Sequence, residues 1–109
     1  MILELKGKDK ILQFITIFTN IHKICTDTNL VIGKDGLYTQ GLSLGNASII
    51  EVNLNRDWFD NSKGNLDNKL VGIHCEILAN VMKCYQEGQS IKISLYEEST
   101  EELIIYFEG

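Results

Sequence analysis

At 109 residues, with 44% hydrophobic and 23% charged positions, the chain has the length of one domain and the composition of a packed core, which excludes disorder as its main state. Fifteen acidic residues against ten basic ones give a formal charge of −5, so attraction to phosphate must come from local arrangement rather than from total charge. No apolar run approaches the roughly 20 residues of a bilayer span, and Lys6, Lys8, Asp9 and Lys10 break the N-terminal stretch, so a soluble, intracellular chain is expected.

Residues 1–6 alternate, Met1, Leu3 and Leu5 against Ile2, Glu4 and Lys6, which predicts a half-buried strand ended by Gly7. From Asp9 to His22, Ile11, Phe14, Ile15, Phe18 and Ile21 recur at three- and four-residue steps. That spacing predicts an amphipathic helix whose other arc carries Asp9, Gln13, Thr16 and Asn20. Residues 24–32 are rich in β-branched types, and the turn Gly33-Lys34-Asp35-Gly36 joins them to residues 37–42 as a hairpin. After Gly45-Asn46, Ser48, Ile50, Val52 and Leu54 alternate against Ile49, Glu51, Asn53 and Asn55, another half-buried strand. Residues 56–66 read as a polar excursion interrupted by Trp58-Phe59, and Asn65-Leu66-Asp67-Asn68 as a turn.

Val71-Gly72-Ile73 predicts a short strand, and residues 75–85 a second helix with Leu78, Val81, Met82 and Tyr85 inward and Glu76, Asn80 and Lys83 outward. Ile91, Ile93 and Leu95, then Leu103, Ile105 and Phe107, predict a closing antiparallel pair. The order strand, helix, strands therefore occurs twice. Two such units sharing one core predict an α+β architecture, with both helices on one face of an antiparallel sheet and their polar arcs pointing the same way.

Little in the sequence points to catalysis or metal chemistry. Three cysteines, an odd number, are expected to be reduced, and Cys75 and Cys84, at ~100° per residue, face opposite sides of the second helix. His74 precedes that helix and His22 ends the first, where a cation suits the helix dipole. No acid or nucleophile stands near either to make a catalytic set. Glu97, Glu98, Glu101 and Glu102 read as a solvated hairpin tip, Asn46-Ala47-Ser48 is a glycosylation triplet by pattern only, and Asp57, Asp60 and Asp67 miss the spacing of a calcium loop. No metal and no cofactor are expected. Trp58-Phe59 is either a plug closing a sheet edge or a binding anchor, and the plug is favoured.

Several strings, in order, are similar to the proliferating cell nuclear antigen family of DNA sliding clamps, over its N-terminal domain. They are Asp35-Gly36-Leu37-Tyr38-Thr39-Gln40, the strand at residues 48–55 followed by Trp58-Phe59-Asp60, Val71-Gly72-Ile73-His74 leading to Val81-Met82-Lys83-Cys84, and Ile105-Tyr106-Phe107-Glu108. The resemblance implies the DNA-clamp (processivity) fold, with residues 1–109 as one clamp domain lacking the family's connector and second domain. It implies a non-catalytic ring, usually a homotrimer, whose helices surround double-stranded DNA without reading sequence. Its partners would be DNA polymerase, other clamp-binding proteins and a clamp loader, with no membrane partner. The implied place of action is the nucleus. With a single arginine, Arg56, among ten basic residues, and abundant Ile and Asn, an AT-rich genome is suggested, and a viral replication compartment is the alternative.

The family places basic residues on the helix faces that line the ring. By that resemblance Lys83 is a DNA contact, Lys8, Lys10 and Lys23 are auxiliary contacts, and Gln13 and Asn80 lie on the faces between them. Leu42 matches the family's partner-peptide pocket. The poverty of positive charge on these arcs keeps a second function open, a clamp-like protein-interaction module with little direct DNA contact.

Overall fold

Alternation and helical spacing become elements in the order the sequence predicts. In β1 (Ile2–Leu5), Leu3 and Leu5 are fully buried, and in α1 (Lys8–His22) the buried face is Ile11, Phe14, Phe18 and Ile21. β2 (Asp27–Gly33) turns tightly into β3 (Gly36–Leu42), a return that uses Gly36 at φ +108°, where a side chain would strike the Leu54 carbonyl. β4 (Ile49–Asn55) leads to a 3-10 turn (Arg56–Trp58), β5 (Asn61–Lys63), β6 (Lys69–His74), α2 (Cys75–Met82), β7 (Ser90–Leu95) and β8 (Leu103–Glu108). The structure, a computed structural model, describes residues 1–43, 48–65, 67–95 and 103–109. Asn46 and Ala47 of the glycosylation triplet, the Gly45-Asn46 turn, Leu66 and the acidic tract Glu97, Glu98, Glu101 and Glu102 lie outside the described residues.

The expected α+β antiparallel architecture is present, with its strands divided between two four-stranded sheets, β5-β1-β7-β8 and β4-β3-β2-β6. Alternation fixes which face of a strand is buried but leaves its partner open, so this division was not readable in advance. The two strand–helix–strand units exchange their first strands. β1 pairs with β7, Leu3 opposite Ile93, while β6 pairs with β2, Val71 opposite Leu30. Each helix therefore crosses from one sheet to the other, and α1 and α2 lie against each other over the shared core.

Trp58 and Phe59 form the plug. Phe59 is 5% exposed, and its ring meets Phe14 at 6.4 Å and Trp58 at 5.4 Å between centroids, both edge-on. The segment then runs along β1, where the Asp60 N–H donates to the Glu4 carbonyl and β5 continues the pairing with Ser62 opposite Leu3. α2 is shorter than expected, ending at Met82, so Tyr85 lies beyond the helix and is half-buried beside the core. Cys25 and Cys75 are buried and Cys84 is exposed, all three with free thiols. Burial pushes the Cys75 thiol up from its ordinary value.

Candidate nucleic-acid interface

The side of α1 and α2 turned away from the core is built from the residues that helical spacing excluded from it. On α1 this face is Asp9, Leu12, Gln13, Thr16 and Asn20; on α2 it is Glu76, Ile77 and Asn80, with Lys83 following at the C-cap, and all of these are exposed. Gln13 and Asn80 thus both reach solvent from neighbouring helices. Such amides can donate to phosphate or sugar oxygens, contacts that position a duplex without reading it.

The four candidate lysines divide into two kinds. Lys23 and Lys83 occupy the C-cap positions of α1 and α2, and both are exposed. A cation there also complements the helix dipole, so each has a local structural role beside any contact with phosphate. Lys8 and Lys10 are already engaged. The Lys8 ammonium donates to Glu87 at 2.8 Å, and this hydrogen bond raises the lysine pKa and lowers that of the glutamate. Lys10 turns toward the plug: its Nζ donates to the Trp58 carbonyl at 2.6 Å, lies 5.5 Å from the indole centroid and stands 4.0 Å from Asp60.

Asp60 is a residue whose role the sequence did not disclose. Its Oδ2 accepts the backbone N–H of Lys6 at 2.7 Å and of Gly7 at 3.4 Å, just ahead of α1. The Lys6 N–H is the main reason its carboxyl is held below the ordinary carboxylate range. No side chain caps α1 locally, so the plug segment ties down the start of this helix from 53 positions away. His74 sits at the N-cap of α2 without a side-chain capping bond, and His22 ends α1 with its Nδ1 unpartnered. Among the described residues no group of three or more His, Cys, Asp or Glu is arranged to hold a metal ion.

Leu42 is 54% exposed at the end of β3, and its cross-strand neighbour Ile49, 62% exposed, enlarges it into an apolar patch. Ile49 was missed because in sequence it is simply the outward residue of an alternating strand.

A family model described as "Proliferating cell nuclear antigen, N-terminal domain" matches residues 2–109. Among solved structures, a chain in a PCNA2-PCNA3 complex from Sulfolobus tokodaii has the same fold, with a TM-score of 0.86 at 17% identity. The match covers 100% of this chain and 42% of that one. No curated protein sequence matches.

Proposed function

Because the chain belongs to the proliferating cell nuclear antigen N-terminal-domain family, a sliding-clamp family of DNA replication and repair, we propose that it is a non-catalytic clamp domain that surrounds duplex DNA and tethers proteins to it. Residues 1–109 form one clamp domain and work as part of a ring. The observation that carries this reading is the pair of adjacent helices turning Gln13, Thr16, Asn20 and Asn80 to solvent, a polar surface that can follow a duplex without gripping it. Lys83 and Lys23 meet phosphates. Lys8 does so when it releases Glu87, and Lys10 acts mainly by holding the plug beside α1. Leu42 and Ile49 supply this domain's share of a pocket for polymerase and other clamp-binding proteins, and a loader closes the ring around DNA in the nucleus or a viral replication compartment.

Lifetime on DNA would then come from topology. Retention of the loaded protein on closed circular duplex is expected to exceed retention on the same duplex after linearisation, and equal lifetimes on the two would overturn encirclement. A specific observation favours a second reading, that of a protein-interaction module. On the exposed helical face Asp9 and Glu76 offset Lys23 and Lys83, while Leu12 and Ile77 are also exposed. Lys23→Glu with Lys83→Glu separates the two readings, because it shortens retention on DNA only if the face meets phosphate.

A further inference from the structure

Two of the four candidate lysines are held by the chain itself, and they are held differently. The Lys10 side chain, 38% exposed, makes three contacts with the plug, the shortest to a backbone carbonyl at 2.6 Å, so freeing it would loosen the Trp58-Phe59 segment. Lys8, in the first turn of α1, is 55% exposed and bonds at 2.8 Å to Glu87, which is 76% exposed. Both members of this pair stand clear of the core. Glu87 is nevertheless fixed in place. It is the second residue of a β-turn, Gln86-Glu87-Gly88-Gln89, closed by the Gln89 N–H on the Gln86 carbonyl at 3.1 Å and by the Gln86 N–H on the Gln89 side-chain oxygen at 2.8 Å. Gly88, at φ +94°, supplies the left-handed position of the turn. The turn follows Lys83, the C-cap of α2, and sets its carboxylate beside the start of α1. Lys8 and Lys83 are thereby brought to one end of the helix pair, with Asp9 and Glu87 as the acids nearest to them in sequence or space.

We propose that Glu87 is a built-in competitor for the phosphates of duplex DNA: it takes from Lys8 the charge-assisted hydrogen bond that a phosphate oxygen would otherwise take, and so keeps contact at this end of the helix face weak. The inference rests on the reading that this face meets DNA. A phosphate reaches the Lys8 ammonium only by displacing the carboxylate. The cation released from the duplex is then offset by one taken up by the freed Glu87, so Lys8 adds little to affinity or to its salt dependence. An ion pair this exposed is readily broken and re-formed as a duplex moves past, which suits a surface that follows DNA without gripping it.

The test titrates a short blunt-ended DNA duplex into the isotope-labelled 109-residue chain, followed by backbone amide NMR at several salt concentrations, for the parent, Glu87→Gln, Lys8→Gln and the double variant. Glu87→Gln is expected to tighten binding about two- to fivefold. It should also steepen the fall of log affinity with log salt by up to about 0.9, the share of one added phosphate contact. In the Lys8→Gln background the same change should have little effect, since no ammonium is left to release. Equal tightening with and without Lys8 would mean that Glu87 acts only as one more negative charge, and would overturn the proposal. No tightening by Glu87→Gln in a chain whose binding Lys23→Glu with Lys83→Glu still weakens would overturn it too, while leaving the proposed function standing. If no variant, Lys23→Glu with Lys83→Glu included, alters duplex binding, the reading of the helix face falls and the proposal with it.

Discussion

Phe59→Ala tests whether the plug is part of the core. The side chain is 5% exposed and makes edge-on contacts with the Phe14 and Trp58 rings at 6.4 Å and 5.4 Å, so truncation removes a full aromatic burial and leaves a cavity beneath α1. Losses of this kind cost about 3–5 kcal/mol, against a total stability of about 5–15 kcal/mol for a domain of this size. With a urea dependence of about 1–3 kcal/mol per M, the unfolding midpoint should fall by ~1–5 M. Trp58, the single tryptophan, reports unfolding by fluorescence, and circular dichroism should trace the same transition. Phe59→Leu, which keeps most of the volume, should lose far less. A midpoint shift below ~0.3 M for Phe59→Ala, with the slope unchanged, would show that the rings are not docked and that Trp58-Phe59 is a binding anchor after all.

Asp60→Asn should destabilise the fold at neutral pH. The folded-state pKa of Asp60 is lowered chiefly by the Lys6 N–H, so its contribution is complete above the ordinary carboxylate value of about 4 and is lost as pH falls through the lower folded value. The stability gap between the parent and Asp60→Asn, measured by urea titration across pH, should therefore close in acid. Gly36→Ala forces a side chain to φ +108° and into the Leu54 carbonyl, and thermal melts should show a loss of about 1–3 kcal/mol. Leu42→Glu with Ile49→Glu, both exposed, should leave the melting temperature within the effect of ~0.5 kcal/mol, as expected of a surface patch outside the core.

Periodicity alone located β1, α1, β7 and β8, because each buries one face and the spacing of Leu3 and Leu5, or of Phe14 and Phe18, records it. β5 was hidden. Asn61-Ser62-Lys63 has no apolar alternation and is a strand only because β1 lies beside it. The helix faces were legible as polar arcs, and Gln13 and Asn80 are exposed as the spacing required. What the lysines do was not legible. Lys10 lies at the margin of the α1 arc, and nothing local reveals that its ammonium meets the Trp58 carbonyl 48 positions later, or that Lys8 meets Glu87 79 positions later. Likewise Asp60 reads as one more acid in a polar stretch until the fold sets it against the start of α1.

The exchange of first strands also dictates a chronology. Met1 and Leu95, 94 positions apart, bond to each other through their backbones, so β1 cannot find β7 until all the elements between them have been made. Contacts of such long range make the topology one of high contact order, in which loop closure precedes most of the reward and refolding is slow for the chain's size. A nick between β5 and β6 would yield two pieces, each with a helix and with its first strand cut off from its partner in the other piece, that regain the full sheets only by finding one another.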